Sequence, residues 1–144
     1  MQLSDGTWPD SLPAVEVRFA RPTDKLDQVI AFYTELLGLP ELFRTRGHGY
    51  EVVMVGLPGD RYHLEFTSHV DGSPGNAPSD ENLLVFYFAT ETQMFEVVQR
   101  LGEAGHEPVE LENPWWRENG ALAFADPDNW RIVLMPRPIV LAAT

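Results

Sequence analysis

The 144-residue chain has no cysteine, which excludes disulfides, thiolate metal sites and a cysteine nucleophile together. Basic residues are scarce, ten Lys and Arg against 22 Asp and Glu, for a formal charge of −12. A surface of that sign repels phosphate backbones and anionic headgroups, so neither nucleic acid nor a membrane is an expected partner. No apolar run approaches the roughly 18 residues needed to span a bilayer. The opening Met-Gln-Leu-Ser-Asp-Gly pairs no basic cluster with an apolar stretch, so no secretory signal is expected and a cytoplasmic location follows. A Gly-x-Ser-x-Gly elbow, a glycine-rich phosphate loop and a cysteine-histidine pair are also missing. The surplus carboxylates either attract cationic ligands or keep the chain in solution.

What the chain has is a repeat. Residues 15–69 and 83–136 each read as a strand, a helix of about four turns and three further strands, joined by a linker over 70–82. Arg18-Phe19-Ala20 matches Phe86-Tyr87-Phe88, Gly38 matches Gly105, and Leu57-Pro58-Gly59-Asp60 matches Asp126-Pro127-Asp128-Asn129. Neither half is large enough to bury a good core alone, so the halves should pair as one domain spanning 1–144, with function in the cleft between them.

Local patterns place the elements. Ala14 to Ala20 alternates as a strand, and Pro22-Thr23-Asp24 supplies turn and cap chemistry. Leu26, Val29, Ile30, Tyr33, Leu36 and Leu37 recur at helical spacing up to Gly38. Strands are expected at 41–45, 50–55 and 61–67. In the second half Leu83 to Ala89 reads as a strand buried on both faces. Thr90-Glu91-Thr92-Gln93 matches a capping box, and Met94, Val97, Val98, Leu101 and Ala104 form the next helical stripe. Strands near 107–110, 121–125 and 130–135 complete the unit. Residues 1–13 and 137–144 lack periodicity and are expected to be flexible or to pack over an edge.

Phe32-Tyr33-Thr34-Glu35-Leu36-Leu37-Gly38-Leu39, together with Phe124-Ala125-Asp126-Pro127-Asp128-Asn129, resembles the vicinal oxygen chelate superfamily. That group contains glyoxalases, bleomycin-resistance proteins and extradiol dioxygenases, and the similarity covers residues 15–136. It implies an α+β fold of two βαβββ modules whose sheets curl into incomplete barrels around a cleft, and frequent homodimers. In metal-dependent members, the resemblance implies, His, Glu or Gln hold a cation at four equivalent places, one on the first and one on the last strand of each module. Here those places fall on Arg18, Glu65, Phe86 (Leu84 if the register slips) and Val133. Only Glu65 is a ligand type, and divalent catalysis needs about three protein ligands with positions left open. The inherited metal site is therefore read as lost, with no metal and no cofactor expected.

A displaced metal site is the alternative. His63, Glu65, Thr67 and His69 alternate along one strand, yet side chains two apart on a strand start roughly 7 Å apart, too far for one compact site without other ligands. With a rearranged metal site around His63 and Glu65 the chain would be a metal-dependent lyase, isomerase or dioxygenase, and the same two residues are candidates for a metal-free acid and base pair. His48 and His106 are expected to be exposed.

The remaining candidates suggest binding. Arg18 and Glu65 should approach one another, either as a structural ion pair or as a ligand anchor in which Arg18 holds a carboxylate or carbonyl and Glu65 accepts from an amine or hydroxyl. Glu16 is a possible second acceptor. Phe86, Phe88, Val133 and Met135 are expected to face inward as an apolar wall, with Tyr87 pointing away. At least one of Trp115 and Trp116 should cover a pocket mouth or a dimer contact. The leading function is metal-free binding or sequestration of a small organic molecule, and the third alternative is a protein-interaction role with a filled pocket.

Overall fold

Alternating apolar residues set the first sheet. In the computed structural model, which describes residues 9–57 and 62–138, β1 (Val17–Pro22), β2 (Glu41–Gly47), β3 (Tyr50–Gly56) and β4 (Tyr62–His69) lie in the order β1-β4-β3-β2. β1 runs parallel to β4, and the other neighbours are antiparallel. Register places Val17, Phe19 and Arg21 level with Tyr62, Leu64 and Phe66, so these share one face of the sheet. Arg18 and Ala20 stand opposite His63 and Glu65 on the other face. β1 starts at Val17, later than its alternation suggests, and runs on through Arg21 to Pro22.

The first helix is shorter and wider than its stripe suggests. α1 spans Leu26–Ala31 and continues as a π-helical stretch over Phe32–Leu36, where the Leu37 amide donates to the Phe32 carbonyl five residues back. Gly38 ends it at φ +85°, in the left-handed region that glycine enters freely. The expected Thr23-Asp24 cap is corrected: Lys25 takes the cap position, Thr23 Oγ1 accepts from the Lys25 amide at 2.9 Å, and Asp24 instead accepts from the Ser73 amide.

β5 (Leu83–Tyr87), β6 (Leu122–Ala125) and β7 (Arg131–Met135) form the second sheet in the order β5-β7-β6, with α2 (Glu91–Glu103) between β5 and β6. Thr90 Oγ1 accepts from the Gln93 amide at 3.2 Å, as the capping pattern requires. β5 is only partly buried, with Tyr87 exposed, so the expectation of burial on both faces is corrected. The strand expected at 107–110 is reduced to one bridge, Val109 with Ala123. Pro108 has no amide to donate, and the chain then leaves the sheet for a short helix, α3 (Trp115–Glu118).

One core joins the halves. Leu26, Val29, Val53, Val55 and Phe66 pack with Met94, Val97, Leu101, Phe124, Ile132 and Leu134, so the helix-side faces of both sheets share the same apolar interior. Residues 58–60, expected as a turn, lie outside the described residues, as does most of each expected tail.

Candidate functional site

On the sheet face away from α1, Arg18 stands at the centre of a small polar group. Its Nη1 lies 3.0 Å from Glu65 Oε1, its Nε donates to His63 Nε2 at 3.0 Å, and its Nη2 contacts Met54 Sδ at 3.5 Å. The Arg18 side chain is 45% exposed and that of Glu65 13%, so the pair sits at an open surface with its acid end half enclosed. Because His63 Nε2 accepts, its lone pair is committed and the ring hydrogen sits on Nδ1. That Nδ1 is buried without a partner. Glu16 precedes β1 and is exposed.

The other expected wall residues do not join this group. By register Leu83, Val85 and Tyr87 share a face with Arg131, Val133 and Met135, while Leu84 and Phe86 share the opposite face with Ile132 and Leu134. Phe86 and Phe88 therefore pack into the common core on the helix side. Matching Arg18 to Phe86 was off by an odd number of residues, and on a strand such a slip exchanges the faces. Tyr87 lies with Val133, reversing the expectation. Val133 and Met135 are buried in a smaller cluster with Ala121 and Ala123, covered by Leu111 and Trp116. Trp116 lines a cavity of about 390 Å³ where the fourth strand is missing, and Trp115 is exposed, its ring meeting that of Trp116 edge-on at 5.1 Å.

A second polar centre joins the two modules, and sequence reasoning missed it. Arg21 Nη1 lies 2.9 Å from Asp128 Oδ2, and its Nη2 pairs with Asp126. The guanidinium lies 4.9 Å from the Phe66 ring centroid and 5.1 Å from that of Trp130. The Tyr33 hydroxyl donates to Asp126 Oδ2 at 2.7 Å, and the amides of Asp128 and Trp130 donate to Oδ1 at 2.8 and 2.9 Å. Burial raises the Asp126 carboxyl above its ordinary range, against the downward pull of Arg21 and these donors, and burial beside Asp126 pushes the Tyr33 hydroxyl well up. The available signal was two acidic residues in a turn between apolar strands, which need a cation when buried.

The residues do not fit a divalent metal. His63 spends Nε2 on Arg18, Glu65 is paired with the same guanidinium, and the matching face of the second sheet offers Val85 and Val133. Among the described residues no cluster of three His, Asp or Glu is arranged to hold an ion. His69 ends β4 on the same face as His63 but engages Tyr50, its ring 4.5 Å away. His48 is exposed as expected, whereas His106 meets Phe32 edge-on at 5.3 Å.

Comparison with known proteins places the chain. Residues 17–67 match the YycE-like N-terminal domain and residues 81–136 the YycE-like C-terminal domain. An uncharacterized protein of Bacillus subtilis, YycE, is 44% identical over 126 residues, 87% of this chain and 90% of that protein. The chain belongs to the YycE-like family. A crystal structure of a Bacillus subtilis YycE protein of unknown function superposes with a TM-score of 0.87 at 41% identity, covering 93% of this chain and 98% of that one. Beyond YycE itself, a glyoxylase/bleomycin resistance protein/dioxygenase domain from Frankia gives a TM-score of 0.64 at 26% identity, over 87% and 97% of the two chains. TnmS3, an antibiotic binding protein from Streptomyces, shares the fold with a TM-score of 0.60 at 22% identity, over 88% and 97%. This YycE-like chain thus has the glyoxalase and bleomycin-resistance fold of the vicinal oxygen chelate superfamily, with two small sheets and no closed barrel. No helix among its described residues is long and apolar enough to cross a membrane.

Proposed function

We propose that this protein binds or sequesters a small organic molecule without a metal, using Arg18, Glu65 and His63 on the open face of the first sheet. The observation that carries this reading is the ion pair at the open face: Glu65 Oε1 lies 3.0 Å from Arg18 Nη1, and the Arg18 side chain is 45% exposed. A carboxylate fixed in that way accepts from an amine or hydroxyl, and the half-exposed guanidinium offers an edge to a carbonyl or carboxylate. The charge of −12 adds long-range attraction for cationic molecules.

The test is a thermal-shift screen of small organic amines and their carboxylate counterparts at low and high salt. Amines should raise the melting temperature, and less so in high salt. Glu65→Gln should weaken the best amine by about 1.5–3 kcal/mol, the range for a hydrogen bond to a charged group. Arg18→Met and the double variant separate the roles. If each single change lowers stability while the double change restores stability and leaves affinity intact, the pair is structural and the proposal fails.

A further inference from the structure

The second sheet has a gap that the first does not. In the first sheet β2 takes the outermost place and pairs with β3 from Glu41 to Gly47. In the second, the strand due beside β6 is reduced to the bridge of Val109 with Ala123. Past that bridge the chain turns away toward α3, and the space left between residues 108–114 and Ala121 to Ala123 is a cavity of about 390 Å³. Ligand pockets generally occupy about 300–1,000 Å³ and are mostly apolar with a few placed polar groups. Backbone bonds hold the far wall in place: the Ala121 amide donates to the Trp116 carbonyl at 3.0 Å, and the Glu118 amide to that of Pro114 at 3.0 Å. Neither Arg18 nor Glu65 lines this cavity.

The chemistry of the lining says what it takes. Ala121 and Ala123 are buried, and Val109, Leu111 and Trp116 pack with them, so the body of the space is apolar. The Trp115 ring stands against that of Trp116 with the planes 85° apart, which fixes the indole that lines the cavity. Among side chains an indole offers the best face to a cation. The opening is acidic. Glu110 and Glu112 both line it and are exposed, and Arg117 is the cation that opposes them. The contact of Arg117 with Glu110 spans 3.5 Å between side chains 78% and 91% exposed, and an ion pair in that setting holds neither partner firmly. Residues 107–118 carry Glu107, Glu110, Glu112 and Glu118 against that single arginine. An anion is therefore repelled at the mouth, and a neutral molecule gains nothing from it, whereas a cation with an apolar body meets both halves of the site. Neither the indole face nor the carboxylate field requires an N–H donor, so a fully alkylated ammonium satisfies them.

We propose that this cavity is a second binding site, for an organic cation with an alkylated ammonium head and a compact apolar body. The body lies against Val109, Leu111 and Trp116, and the head stays at the mouth with Glu110 and Glu112.

The probe is benzyltrimethylammonium, which has no N–H to offer Glu65, compared with neutral 2-phenylethanol and anionic phenylacetate by isothermal titration calorimetry on the full chain. The cation should bind at one site per chain, about five-fold or more tighter than the alcohol, while phenylacetate should not bind. Raising the ionic strength should weaken the cation alone. The double variant Glu110→Gln and Glu112→Gln changes only exposed side chains, so it should keep the melting temperature while weakening the cation about five-fold. Trp116→Leu keeps an apolar cover over the alanines and should bring the cation down to the affinity of the alcohol. Equal affinity for cation and alcohol in the unaltered chain, or full affinity in the double variant, would overturn the proposal. So would cation binding that falls in Glu65→Gln and survives in the double variant, which would place the ligand on the open face of the first sheet instead.

Discussion

Arg21 is the residue on which the junction turns. Its side chain is 9% exposed and faces two carboxylates that are almost fully buried, so removing it leaves two acids without their cation. Breaking a buried pair from one side costs about 3–5 kcal/mol. Arg21→Met should therefore shift the urea midpoint by that amount, and Arg21→Lys should recover less than half, because an ammonium can neither serve both acids in a fork nor stack between Phe66 and Trp130. Full stability in Arg21→Met would show that the clamp contributes nothing. Arg18 and Glu65 were legible because the family resemblance assigns them equivalent places on the first and last strands of one module, and those strands pair side by side. Arg21 was not. It sits where the sequence pattern passes from strand to turn, and its partners lie 105 and 107 positions away, a distance that no local period reports.

The elements show the same division. The helix stripes, the capping threonine and the glycine ends at 38 and 105 were visible because each rests on contacts within a few residues. The π-helical stretch was not, since apolar positions three and four apart fit either winding. Its wider turn buries Phe32 and Tyr33 side by side, each 2% exposed, and this lets Tyr33 reach Asp126. The linker hid its role in the same way: its Gly, Pro and Ser composition reads as a tether, yet Gly75 passes directly over β1. A Cβ there would lie 1.9 Å from the Pro22 carbonyl oxygen, whereas one on Gly102, inside α2, would meet nothing within 4 Å. Gly75→Ala should cost about 1–3 kcal/mol through forced backbone movement, and Gly102→Ala should add about 0.5–1 kcal/mol. Equal effects in thermal denaturation would contradict the tight crossing.

At the scale of the molecule, β1, β2, β5 and β6 are sheet edges, and β2 is exposed along its whole length with Leu42 and Phe43 in water. Unpaired strands beside apolar side chains invite pairing. We propose a two-fold homodimer, which multi-angle light scattering at tens of micromolar should report at twice the chain mass of 16.3 kDa. A single-chain mass would refute it. The surface acidity disfavours aggregation beyond that closed pair.

The seam between the halves also bears on how the chain opens. Trp130 Nε1 donates to the Gly75 carbonyl, the Ala77 amide to that of Asp128, and Lys25 Nζ to that of Pro127. These ties run from the linker and the first module to the same turn of the second. Freeing the linker therefore means exposing the turn, and exposing the turn uncovers the two acids that Arg21 holds. Fluctuations that would fray an ordinary tether should here be coupled to the loss of the core, and native-state hydrogen exchange is expected to show the amides of the joint between the two repeats opening with global unfolding rather than ahead of it.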